Sequence, residues 1–459
     1  MKRTIITGED MDLAFRSGKT EFHISPRDIV TSVAKERAEK HGITLSMGSG
    51  SSTAGPSGVG FDATAVFQKS ARASSADVSP PYDMGYWRKQ FPLLSKYIHV
   101  ANCSQSPQST YTRDAFEEYM ISWNEMGMDW ERWVEEVELT KAEFAKIINA
   151  DPSEIAMGTS VSGMTAAIAS ALPRHTARQK VVYTEAEFPT VGHVWKAHEK
   201  YGLKTGFIPV TNNMIDPAEY DRYVDEDTML TSICDVYYYN GFRQKLSTII
   251  PKIHDKGSLV YVDAYQGLGT HPLDVKALDV DLLASGNLKY LMGVPGIAFL
   301  YVKKEIAEYL EPAYTGWFGR KDPFAFDIHN VDYADGARRF DTGTPPIPTA
   351  YISRAGMKVI NEVGVDNIHQ WTNVLSQHCI DGALARGLDV VSPTDIRIKA
   401  PSTAIRVPGN SHQVEAELRK RNIIGSARAD VVRIAPHFFT TTNDIDIVLD
   451  AFVDILKKL

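Results

Sequence analysis

The sequence predicts an α/β protein, a largely parallel sheet with helices on both faces, followed by a smaller α+β lobe. Short apolar, β-branched runs recur at 181–183, 206–210, 233–239, 259–262, 280–284 and 297–302. Segments of helical periodicity lie between them, and such alternation builds parallel sheets. The 459 residues also exceed the ~100–200 of one ordinary domain, which leaves length for a second lobe and an extra segment.

Residues 1–80 read as an N-terminal arm and flexible linker. One helix is expected there, with Ser25 as N-cap, Pro26 at its first position and Gly42 as its stop. The Gly/Ser-rich LSMGSGSSTAGPSGVG and a second Ser/Ala-rich stretch up to Pro80-Pro81 have the composition of a tether. No Lys follows GSGSSTAG and no strand–loop–helix context surrounds it, so it is not read as a phosphate loop.

Residues 81–344 read as the large domain, its first segment contributing to the small lobe. Helical periodicity spans 112–148, with Trp123, Trp130 and Trp133 as core positions. Residues 345–459 read as the small C-terminal domain, closed by a helix over 445–458.

Composition excludes several classes. With 43% apolar and 23% charged residues the chain is ordinary for a globular protein. Its net charge of −8 and the lack of basic clusters beyond 419–421 argue against a nucleic-acid partner. The longest apolar stretch, 296–302, is far short of the ~20 residues that span a bilayer. Acidic residues break up MKRTIITGEDMDLAF where an export signal needs an apolar core, so a cytoplasmic location is expected. The three cysteines (Cys103, Cys234, Cys379) form no CxxC pair, and the thirteen histidines form no HExxH, so no disulfide framework or metal site is expected. Asn102-Cys103-Ser104 matches a glycosylation triplet, by chance in this setting.

In open parallel sheets ligands bind beyond the carboxyl ends of the strands. Asp263 closes the run LVYVD, and Lys289 follows the run VDLLAS. A lysine there forms an imine with a carbonyl cofactor. An aspartate facing a pyridine nitrogen keeps that nitrogen protonated and makes the ring an electron sink. The pair suits pyridoxal 5′-phosphate (PLP).

The stretch VDAYQGLGTHPLDVKALDVDLLASGNLKYLMGVPGIAFLYV resembles the aminotransferase class V family of fold-type I PLP enzymes, which includes cysteine desulfurases, kynureninases and isopenicillin-N-epimerase-like proteins. The resemblance covers roughly residues 90–459. It implies a large domain with a mostly parallel seven-stranded sheet. It also implies that Asp263 pairs with the pyridine nitrogen, that Gln266 of D-A-Y-Q bonds the phenolic oxygen, and that Lys289 of N-L-K-Y, with Asn287 beside it, carries the cofactor as a Schiff base.

Other positions follow. The loop GTSVSGM joins a strand to a helix, so Ser160 and Val161 would cradle the phosphate at a helix N-terminus, with N-capping as the plainer role. Phe188 of T-E-A-E-F-P-T occupies the ring-stacking place of the family, with a core position as the alternative. Asn240 of YYYNG would contact the cofactor or substrate, or else serve a turn. Gly316-Trp317-Phe318-Gly319 resembles a kynureninase-type segment, and Arg339-Phe340-Asp341-Thr342-Gly343-Thr344-Pro345 resembles R-F-E-x-G-T-P. The family uses these to reach the neighbouring active site, so Trp317 and Thr344 imply a homodimer with shared sites. ARADVVRIAPHFF resembles the substrate-carboxylate segment, with Arg433 as first candidate and Arg428 as second. Asn102 and Ser104, in A-N-C-S-Q, would line the substrate pocket.

Desulfurases of the group carry a cysteine on a loop between two C-terminal arginine positions. Here only Ala-Asp-Val-Val separates Arg428 from Arg433. Kynureninases resemble D-L-A-H where this chain has D-A-Y-Q. Transamination of a small polar amino acid is the leading expectation, because it needs only Lys289 to move protons. The alternatives are a cysteine-independent C–S or C–C lyase, an epimerase, or a non-catalytic PLP-fold binding or regulatory protein.

Overall fold

A computed structural model describes residues 5–25, 28–47, 79–173 and 176–459. Pro26 and the Gly/Ser-rich stretch from residue 48 onward lie outside the described residues.

Near the N-terminus, β1 (Ile5–Ile6) pairs in parallel with β3 (Ile29–Val30), and β2 (Glu21–Ile24) pairs in parallel with β4 (Thr44–Met47). Helices α1 (Gly8–Arg16) and α2 (Ser32–His41) complete this unit, which has its own small core of Ile6, Met11, Ala14, Ala34, Ala38 and Ile43. The expected stop at Gly42 holds, in left-handed conformation at φ 65°. The helix itself starts later than Ser25: Thr31 caps it, and residues 29–30 belong to a strand. Arg16 reaches the Tyr86 and Tyr111 hydroxyls and Glu362, and Arg37 lies 3.5 Å from Asp114, so ionic contacts tie the unit to the body.

After α3 (Met84–Lys89) and β5 (Ile98–His99), the expected helix over 112–148 is two helices, α4 (Thr110–Met126) and α5 (Trp130–Ile148). Gly127, at φ 67°, breaks them. Trp133 is buried as expected, but the break leaves Trp123 exposed near the end of α4.

The central sheet has seven strands: β6 (Ile155–Gly158), β7 (Lys180–Thr184), β8 (Lys204–Ile208), β9 (Thr228–Cys234), β10 (Leu259–Asp263), β11 (Leu282–Gly286) and β12 (Ala298–Val302). Their order is β6-β12-β11-β10-β9-β7-β8, and only β12 runs against the rest. The intervening helices are α6 (Val161–Ala171), α7 (Pro189–Ala197), α8 (Ala218–Tyr223) and α9 (Leu246–Asp255). Burial on both faces accounts for the near-continuous apolar strands. In β10, for example, Val260 and Val262 face one core cluster and Tyr261 the other.

The run expected at 233–239 is a strand only up to Cys234. Residues 237–242 instead form a turn closed by Tyr237 N–H to Phe242 O (2.8 Å). Gly241 sits there at φ 76°, where a Cβ would lie 2.4 Å from Ser402 O.

Beyond α10 (Lys304–Ala307), the helices α11 (Ile347–Val363) and α12 (Val365–Ala385) lead into the C-terminal lobe. There β13 (Thr403–Arg406), β15 (Ser426–Arg428) and β16 (Val431–Ile434) form an antiparallel sheet ordered β13-β16-β15, packed with α13 (Ser411–Lys420) and α14 (Thr442–Leu456). Strand β14 (Ile423–Ile424) pairs with β5, and Ala101 bridges Ala435, so the 98–101 segment crosses from the C-terminal lobe towards the large sheet. Among the described residues no helix is long and apolar enough to cross a membrane, and no cluster of metal-ligating side chains occurs.

Candidate active site

The carboxyl ends of β7, β9, β10 and β11 bring Phe188, Tyr238, Asp263, Tyr265 and Lys289 together. Asp263, the last residue of β10, is buried, and its Oδ1 accepts from Tyr265 N–H (2.9 Å). Burial pushes its carboxyl up, opposed by that N–H and by the Lys289 ammonium. Lys289, three residues past β11, holds its Nζ 4.1 Å from the centre of the Tyr265 ring and 5.6 Å from that of Phe188. Burial lowers the amine to about 8 against Asp263, which works to raise it, while Arg433 and Arg428 lower it further. Roughly a tenth of such an amine is neutral at pH 7, against about one part in three thousand for an ordinary lysine.

Phe188 caps α7 and is partly exposed, its ring edge-on to Tyr238 at 5.2 Å. It is therefore a pocket wall rather than core. Tyr265 fits because Gly286 has no side chain; a Cβ there would lie 2.1 Å from the ring.

Sequence reasoning missed Glu187. This residue is buried, its Oε1 accepts from Ser232 Oγ (2.9 Å), and its Oε2 has no partner. Burial and then the Asp263 charge push it well above the usual carboxylate range. The only signal was its place directly before Phe188.

At the far side of the pocket, Ser160 caps α6, its Oγ accepting from Gly163 N–H (3.1 Å), and Val161 opens the helix. Ser162 Oγ meets Thr190 Oγ1 at 2.8 Å, which brings the N-termini of α6 and α7 together. Two helix N-termini side by side, with hydroxyls between them, are suited to an anion.

Gln266 Nε2 donates to Cys103 O (3.1 Å). Ser104 Oγ contacts Ser426 Oγ (2.7 Å) and accepts from Arg433 Nη2 (3.0 Å). Arg433 is fully buried; it also donates to Ser426 Oγ (2.7 Å) and Tyr238 O (2.8 Å), and its Nε is unpaired. No carboxylate pairs with it among the described residues. Arg428 stands exposed at the end of β15. Only Ala429-Asp430 joins β15 to β16, so this hairpin carries no long loop, and all three cysteines are buried.

Several expected residues are engaged elsewhere. Asn240 spends its amide on Asn213 O (2.9 Å) and Phe242 N–H (3.0 Å), which is the turn role. Asn102 likewise spends its amide on Ala435 O (2.8 Å) and Ser106 Oγ (3.0 Å), joining the two lobes. Asn287, by contrast, is fully buried beside Gly293, and neither its amide oxygen nor its amide nitrogen has a hydrogen-bond partner among the described residues. Trp317 and Thr344 lie in a different region of the chain surface. There Phe318 N–H donates to Thr342 O (3.2 Å), so the two motifs are zipped together, and Trp317 packs against Phe318, Phe324 and Phe326.

This chemistry can be tested against PLP. The buried Asp263 carboxyl, with one oxygen left for a cationic ring N–H, fits, as does a lysine of lowered basicity beside two aromatic rings. The paired helix N-termini fit a phosphate. The residues present therefore match the group.

The comparisons agree. Residues 100–446 match the model of the family described as aminotransferase class-V. The chain is 36% identical over 364 residues to an uncharacterized aminotransferase, YcbU, of Bacillus subtilis (strain 168), covering 79% of this chain and 96% of that one. It is 26% identical over 318 residues to a kynureninase of Deinococcus radiodurans, covering 68% and 76%. In fold it is similar to the apo cysteine desulfurase of Thermococcus onnurineus NA1, with a TM-score of 0.74, 23% identity and coverage of 84% and 100%. The chain belongs to the class-V aminotransferase family of fold-type I enzymes. It is a PLP-dependent enzyme, a transaminase or a lyase.

Proposed function

We propose that the enzyme is an aminotransferase for small polar amino acids, with Lys289 as both the cofactor-holding residue and the proton carrier. One observation carries the reading: a fully buried Arg433 with no carboxylate partner lies close enough to Lys289 to depress its amine. A buried guanidinium held by neutral groups alone is costly, and a substrate α-carboxylate would supply the missing counter-charge.

Lys289 would hold PLP, with Asp263 at the ring nitrogen, Phe188 and Gln266 against the ring and its substituent, and Ser160 and Val161 at the phosphate. PLP bound there supplies a sink for negative charge at the substrate Cα. Arg433 then orients the amino acid by its carboxylate, and the amine of Lys289, neutral above about pH 8, takes the Cα proton and returns it. Transamination asks nothing more of the chain, and no cysteine stands on the short β15–β16 hairpin to accept sulfur.

We read the active form as a cytoplasmic homodimer in which Trp317 and Thr344 serve the neighbouring site. The aromatic cluster of Trp317 with the exposed Phe324 and Phe326 supports that reading.

The test is stoichiometric. Without an acceptor, each site should release one equivalent of keto acid from an amino acid and stop, resuming when a second keto acid is added. Continuous ammonia or side-chain release without an acceptor would mean a lyase.

A further inference from the structure

Beside Arg433 lies a cavity of about 490 Å³ that shares Ser104 and Ser426 with it. Two further arginines, Arg419 and Arg428, line this cavity. Neither has a carboxylate partner among the described residues. The buried His99 lines the same space and has an unpaired Nδ1. Burial pulls His99 down to about 4, so it is neutral, and the Arg419 charge reinforces this.

The one acid in the wall, Glu415, is already engaged: its Oε1 accepts from Ala427 N–H (3.1 Å), and its Oε2 lies 3.6 Å from His412. The cavity therefore presents two cations without a carboxylate partner among the described residues, Arg419 resting over the Tyr97 ring at 5.8 Å, against one committed carboxylate. Strand geometry sets the reach. Ser426, the cross-strand partner of Arg433, and Arg428 are two residues apart on β15, hence on one face and ~7 Å apart along the strand. The long Arg428 side chain can bridge part of that step, so an acidic amino acid with its α-carboxylate on Arg433 would bring its far end towards Arg428.

We infer that this cavity is a distal anion subsite and that the preferred substrates are amino acids with a second acidic group, carboxylate or sulfonate, held by Arg428 and Arg419. The inference rests on the assignment of Arg433 to the α-carboxylate. It moves Arg428 from the α-carboxylate to the side chain.

The experiment is a titration of the PLP-loaded enzyme with L-glutamate, L-cysteate, L-glutamine and L-norvaline, read as the change in cofactor absorption and fitted for dissociation constants. Glutamate and cysteate should bind at least tenfold more tightly than glutamine and norvaline. In Arg428→Met/Arg419→Met that ratio should fall to within threefold, and in Arg428→Glu it should invert. Both arginines are exposed, so the variants should fold, and thermal unfolding checks this. A response to all four amino acids with no acidic preference, or a preference that survives in Arg428→Glu, would overturn the distal subsite and leave Arg433 standing. No response to any amino acid would overturn the Arg433 assignment and the subsite with it.

Discussion

Replacing Arg433 by methionine separates a structural arginine from a ligand-binding one. The side chain is fully buried and bonds three neutral groups: Tyr238 O, Ser104 Oγ and Ser426 Oγ. Burying a charge that has no counter-ion costs several kcal/mol, so an apolar side chain of similar length should leave the thermal midpoint unchanged or raise it. Substrate binding should respond in the opposite sense. Losing a buried, charge-assisted contact costs about 2–5 kcal/mol, roughly 30- to 4,000-fold in affinity at ~1.4 kcal/mol per tenfold. The guanidinium also lowers the Lys289 amine, so the variant's pH–rate profile should shift to higher pH. Spectrophotometric titration with amino acids, pH profiles of kcat and thermal unfolding together give the answer. A variant that unfolds early yet binds amino acids within threefold of wild type would refute the reasoning.

Three further outcomes follow. In wild type, kcat, which reports the complex in which substrate has freed the lysine, should rise with pH towards about 8, the value to which burial brings Lys289; a rise centred near the ordinary 10.5 would contradict the proton-carrier role. Gly293→Ala puts a Cβ 1.4 Å from Asn287 Oδ1. It should destabilise the fold by about 1–3 kcal/mol through overpacking, measured by denaturant unfolding. Lys399 is fully buried, and burial pulls it down from 10.5 to about 7. Between those values the unfolded chain binds more protons than the folded one, so stability should rise with pH across that window. Unfolding at pH 7 and pH 9.5 should show a smaller rise in Lys399→Met than in wild type.

The sheet was legible because strands buried on both faces must be apolar throughout, and helices between them must carry periodicity. The reacting pair was legible because strand ends are where such sheets bind ligands, and Asp263 and Lys289 stand at two of them. Propensity failed at Tyr237–Tyr239. Those residues favour strand, but Gly241 and the Asn240 amide impose a turn that only the contact with Ser402 reveals. It also failed at α4 and α5, whose shared periodicity hid the break at Gly127.

Polar residues were the hardest to place. Asn102, Asn240 and Asn287 look like ligand contacts in sequence, yet the first two bond backbone groups across the fold, and only Asn287 keeps its amide without a partner among the described residues. Glu187 looks like a surface acid, yet it lies buried beside Asp263. Whether a polar side chain faces a ligand or a distant carbonyl depends on tertiary contacts that local sequence does not encode.

The most direct test of the central claim is to load the enzyme with PLP, reduce it with borohydride and map the modified peptide by mass spectrometry. The account predicts one phosphopyridoxyl group per chain, on Lys289. A label on another lysine, or none at all, would contradict it.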